Sequence, residues 1–209
     1  MLRPTFVASL AACASASFSI GKSCPDYDRQ PNFDATRYTG TWYEVQKDFT
    51  NVFDIGAQCT TANYQLKDDG SIQVYNRSVY PTGQVADILG SAVESKVDGP
   101  GSLVVDFGGE PDPNQPGNYN VVSTDYDSYA IFYSCNGAKQ FGVSGIYESY
   151  SLLARTTSLS DEKLAEIRKI YLDTFPEYNY DFYVKPTKQG DDCDYSPEPS
   201  ADKEYINLN

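Results

Sequence analysis

The chain has 209 residues, 16 basic against 29 acidic, and no histidine. Without histidine, Ser-His-Asp and Cys-His catalysis, HExxH zinc sites and histidine pH switches are excluded. A formal charge of −13 argues against nucleic acid and anionic membrane surfaces as partners, while 14% aromatic residues describe a folded domain.

Residues 1–16 read as a secretory signal. Arg3 gives a positive start, Phe6 to Cys13 is mostly apolar, and Ala14-Ser15-Ala16 fits a small-residue cleavage site. The apolar run is far shorter than the ~20 residues of a membrane span, so the expectation is secretion to the extracellular space. Cleavage removes Cys13 and leaves Cys24, Cys59, Cys135 and Cys193, two disulfides with three alternative connectivities. Residues 17–195 are expected to form one domain, followed by an acidic, solvated tail over 196–209.

Turn signals then punctuate runs rich in Val, Ile, Tyr and Thr. The predicted strands are Thr41–Asp48, Cys59–Lys67, Ser71–Tyr80, Val85–Glu94, Ser102–Phe107, Asn118–Thr124, Tyr129–Cys135 and Glu148–Thr156. Eight short strands at close spacing predict an all-β antiparallel sandwich or barrel. One segment differs: Ser160 caps a predicted helix whose Leu164, Ile167, Tyr171 and Phe175 recur at helical spacing until Pro176. That stripe would pack the helix on the outside of the barrel. A last strand is expected over Tyr180–Val184.

Alternation assigns faces. Ala62, Tyr64 and Leu66 share one face; Ile72, Val74 and Asn76 oppose Gln73, Tyr75 and Arg77; Leu103, Val105 and Phe107 lie together. The small residues along Ala86, Ile88, Gly90 and Ala92 would leave room inside, and an eight-stranded barrel can hold one small ligand.

Asn32 to Glu44, with Gly40-Thr41-Trp42-Tyr43 at its centre, resembles the opening motif of the lipocalins. Thr124-Asp125-Tyr126 and Leu153-Ala154-Arg155 resemble that family's second and third motifs, in order and followed by one helix. Cys24-Pro25, Cys59 to Tyr64 and Tyr129 to Cys135 are similar to the apolipoprotein D-like branch, which is related to bilin-binding lipocalins and crustacyanin. The resemblance implies an eight-stranded antiparallel up-and-down β-barrel with one C-terminal α-helix, and the pairings Cys24–Cys135 and Cys59–Cys193. It implies that Gly40, Trp42, Thr124, Asp125, Tyr126 and Arg155 close the barrel floor. Ligand-binding positions carried over are Tyr64, Asn76, Phe107, Tyr119 and Leu153. Ser151 stands where that branch has a bulky tryptophan, which would enlarge or polarise the pocket.

The function expected is a secreted carrier of one small hydrophobic molecule: a lipid, sterol, retinoid, carotenoid or bilin. Ile88, Phe107, Val121, Phe132 and Leu153 would supply apolar contact, and Tyr64, Asn76, Tyr119 and Ser151 hydrogen bonds. No cofactor, metal or nucleic acid is expected, and the chain leaves a homo-oligomer or a protein partner open. The rival readings are an enzyme on the same scaffold and an interaction module acting through the tail or loop rims. Asn76-Arg77-Ser78 is a glycosylation sequon, but alternation turns Asn76 inward. Asp112 to Gly117 superficially suggests a calcium loop; its prolines make it a turn. Tyr147, Tyr150, Tyr178, Tyr180 and Tyr183 read as ordinary strand and rim positions.

Overall fold

The computed structural model describes residues 18–49, 51, 55–140 and 143–195. The expected signal and the tail beyond residue 195 lie outside the described residues. The order is β1 (Phe18–Ile20), α1 (Ala35–Tyr38), β2 (Gly40–Asp48), β3 (Gln58–Leu66), β4 (Ile72–Val79), β5 (Val85–Glu94), β6 (Ser102–Asp106), β7 (Tyr119–Thr124), β8 (Tyr129–Gln140) and β9 (Val143–Ala154). Then come α2 (Asp161–Thr174), α3 (Tyr180–Tyr183) and β10 (Val184–Pro186). Strands β2 to β9 pair antiparallel in sequence order, and β9 returns to pair with β2, which closes the barrel and leaves no open edge between them.

Most predicted strands agree with the structure to within two residues. The last hairpin does not: β8 runs on to Gln140 and β9 begins at Val143, with Asn136 paired to Tyr147 and Ala138 to Gly145. These positions lie outside the predicted strands, yet the cross-strand ladder includes them. The segment expected as a strand at Tyr180–Val184 is one helical turn, capped by Asn179, and only Val184–Pro186 pairs with β2. Period two cannot see a turn of helix that short.

Helix α2 begins as predicted, with the Ser160 side chain accepting from the Lys163 N–H and Asp161 and Glu162 in its first turn. Ile167, Tyr171 and Phe175 bury against the outer face of β8, β9 and β2, where Val45, Ile131, Tyr133, Tyr150 and Leu152 meet them. The tyrosines read as rim residues belong partly to this layer. Tyr150 stacks on Tyr178 at 4.1 Å and meets Phe175 edge-on at 4.9 Å, so they pack the helix and its following turn. Tyr75 and Arg77 also depart from their expected solvent face. Both are buried, with the Arg77 guanidinium ion-paired to Asp87 and to Asp194 of the C-terminal segment that covers them.

Two disulfides tie the ends to the barrel, Cys24–Cys135 and Cys59–Cys193.

Candidate ligand site

The site starts from its floor. Gly40 opens β2 with φ 92°, and a side chain there would sit 3.3 Å from Arg155 Nη1. Both facts call for glycine. The Arg155 guanidinium lies over Trp42, 3.6 Å from the ring centroid, and donates to the carbonyls of Thr41, Tyr126 and Arg37. Trp42 is fully buried and donates its indole N–H to the Tyr38 carbonyl. Asp125 accepts from the backbone N–H groups of Asp127, Ser128 and Tyr129 and from the Ser128 hydroxyl. Burial opposes the charge on that carboxylate, but these donors outweigh it and hold its pKa below the ordinary value. Thr124 Oγ1 donates to the Tyr129 carbonyl and accepts from the Tyr126 N–H. All six motif residues thus lie together at one end of the barrel.

Register rows carry the inner face upward from this floor. Tyr64 pairs with Val74 and Val74 with Gly90; Ala62 pairs with Asn76 and Asn76 with Ile88. Val121 pairs with Phe132, Phe132 with Ser151, and Ala130 with Leu153. The nine candidate ligand residues therefore share the inner surface, although they differ in access. Tyr64, Val121, Ser151 and Leu153 are buried, whereas Asn76, Ile88, Phe107, Tyr119 and Phe132 are half-buried.

Three tyrosines occupy the lower half. Tyr119 Oη lies 2.8 Å from Tyr38 Oη and accepts from Tyr64 at 3.1 Å, while Tyr38 stacks on Tyr64 and Tyr119 on Phe132. Desolvation pushes the Tyr64 hydroxyl up to about 12 and those of Tyr38 and Tyr119 well above the usual phenol value, so all three stay protonated. Asn76 Oδ1 is buried without a hydrogen-bond partner among the described residues.

Space along β5 is limited at one position: a side chain at Gly90 would lie 2.6 Å from the Phe107 ring, so Phe107 occupies the volume directly beside it. Ser151 is only 1% exposed, and its hydroxyl donates to Glu44 Oε2. Of the two outcomes expected at Ser151, a larger or a more polar wall, this geometry fits the polar one.

That group escaped the sequence reading. The ladder shifts between Glu44 and Gln46, so Glu44 pairs with Leu153 and Lys47 with Ser151, and both turn inward. The Lys47 ammonium lies 3.5 Å from Glu44 Oε1 and donates to the Ala57 carbonyl, while Thr187 Oγ1 donates to Glu44. Parity from Trp42 would have placed Glu44 inside; Lys47 needs the bulge. A recess of about 260 Å³ lies beside this pair at the open end, between the β2–β3 connection and β10. Another, of about 280 Å³, lies against Phe107, Gly90, Leu89, Gly108 and Gly109. Asp112 caps a turn by accepting from Asn114 and Gln115.

The sequence model of a lipocalin-like domain matches residues 33–175. Apolipoprotein D of Cavia porcellus is 37% identical over 172 residues, covering 81% of this chain and 86% of that one. Insecticyanin from the tobacco hornworm Manduca sexta superposes with a TM-score of 0.65 at 25% identity, over 86% of this chain and 93% of its own. Lobster apocrustacyanin A1 superposes with a TM-score of 0.64 at 20% identity, over 85% and 93%, which speaks for the fold alone.

Proposed function

Because the chain belongs to the lipocalin-like family, we propose that its barrel carries one small hydrophobic ligand of the lipid, sterol, retinoid, carotenoid or bilin type. The ligand enters at the open end and rests against Ile88, Phe107 and Phe132, above the tyrosine layer. Each CH₂ taken out of water there contributes about 0.8 kcal/mol. The observation that carries this reading is Asn76 Oδ1, a buried acceptor on the inner wall with no hydrogen-bond partner among the described residues. A ligand hydroxyl or amine would satisfy it. Tyr119 supplies the complementary group when Tyr38 donates to it, because Tyr64 donates to Tyr119 as well and the Tyr119 proton is then free for a ligand oxygen.

Export is part of the same proposal, supported by the signal-like residues 1–16 and by two disulfides. Carriage is favoured over catalysis because all four described cysteines are paired and the chain has no histidine.

Absorbance and native mass spectrometry of protein purified from its source test the reading. One bound small molecule per chain is expected, with visible colour for a carotenoid or bilin and none for a lipid or sterol. A chain that carries nothing and also fails to take up a fluorescent lipid would refute it. Within the site, Asn76→Leu should weaken ligand binding by roughly tenfold, the worth of one hydrogen bond, without loss of stability.

A further inference from the structure

We propose that residues 196–209 dock in cis on the lysine-lined recess beside the barrel mouth. Its described walls include three lysines: Lys47, buried and paired to Glu44; Lys188, exposed and 3.7 Å from Asp192; and Lys185, exposed with its ammonium 6.0 Å from the Phe49 ring centroid. Its apolar part is open to solvent: Phe49 is 45% and Ile55 61% exposed, and the exposed Phe182 meets Phe49 edge-on at 5.8 Å. An apolar surface with the exposed Lys185 and Lys188 at its edge fits a segment that is both acidic and apolar. Residues 196–209 have that composition, with Glu198, Asp202 and Glu204 followed by Tyr205, Ile206 and Leu208.

The fold also delivers this segment to the recess. Cys193 is bonded to Cys59, next to Gln58 of the recess wall, and Tyr195 packs edge-on against Tyr43 at 5.0 Å. Tyr43 pairs with Thr61, three residues or ~10 Å along β3 from Gln58. Fourteen residues extended reach ~45 Å, so the distance is spanned easily. The acids just before the segment already pair with bases of the barrel and its C-terminal strap, Asp192 with Lys188 and Asp194 with Arg77. An exposed ion pair such as Asp192–Lys188 is weak by itself; the tether makes such pairs effective by raising the local concentration to ~mM. A free acidic partner or an anionic bilayer would lack that advantage. The inference does not depend on what the barrel holds.

Carbodiimide cross-linking of the full chain, followed by peptide mapping, tests it. The expected result is an intramolecular link from Glu198, Asp202 or Glu204 to Lys185 or Lys188 in the monomer. Its yield should fall roughly tenfold in high salt and in the Lys185→Glu/Lys188→Glu double variant, whose positions are exposed and tolerate the change. Links scattered over other lysines, or formed only between molecules, would overturn the proposal. So would binding of the full chain to phosphatidylserine vesicles through Lys185 and Lys188, since a bilayer would then be the occupant.

Discussion

Arg155 concentrates several interactions in one side chain. It covers the Trp42 ring and donates to three backbone carbonyls, so its removal strips a cation–π contact and orphans those acceptors. Arg155→Ala should cost about 3 kcal/mol in chemical denaturation, and Arg155→Lys should recover only part, because an ammonium lacks the planar fork. Gly90 is constrained from the other side of the barrel. A methyl group there would lie 2.4 Å from the Asp106 carbonyl and 2.6 Å from Phe107. Gly90→Ala should therefore destabilise by about 1–3 kcal/mol and shift Phe107, which ligand titration would register as changed affinity. At Tyr64 the informative substitution is phenylalanine. Alanine would empty a packed site in the tyrosine layer, whereas Tyr64→Phe removes only the bond to Tyr119.

The Asp125 turn makes a pH prediction at the scale of an element. Its hydrogen bonds depress the carboxyl pKa in the folded state, so its contribution to stability is present above the unfolded value of ~3.9 and disappears as pH falls through the folded value. Asp125→Asn should be less stable than the parent at neutral pH, and the gap should close in acid. Denaturation midpoints measured across that range would show it. The C-terminal strap is the second element with a consequence. Gln189 Nε2 bridges the carbonyls of Glu44 and Thr60, Thr187 N–H donates to Val45 and Cys59 N–H to Lys188, so the strap fills the gap between β2 and β3. Replacing Cys59 and Cys193 together by serine should cost about 2–4 kcal/mol, measured by urea unfolding, and loosen that gap first.

Across the whole molecule the tyrosines couple stability to alkaline pH. Burial raises Tyr38, Tyr64 and Tyr119 inside the barrel, and raises Tyr133, Tyr150, Tyr171 and Tyr178 in the outer aromatic layer. Groups with raised folded values contribute stability that is complete below pH ~10 and lost above it. Tyrosinate absorbance should therefore rise together with unfolding in one cooperative step above that pH. A gradual titration of all eighteen tyrosines in a folded barrel would contradict it.

Much of this architecture was legible in the order of residues. Period-two alternation located the strands and put Tyr64, Asn76 and Phe107 on the inner face, since register forces alternate side chains to opposite sides. The three motifs identified the floor, because Gly40, Trp42 and Arg155 meet only if the chain returns on itself at that end. What only the tertiary structure decided is which inner positions remain open. The bulge after Glu44 turns Lys47 inward, Ser151 gives its hydroxyl to that pair, and Phe107 takes the volume beside Gly90. Local pattern assigns a residue to a face. Space within that face depends on neighbours brought together from distant strands, and no stretch of sequence contains them.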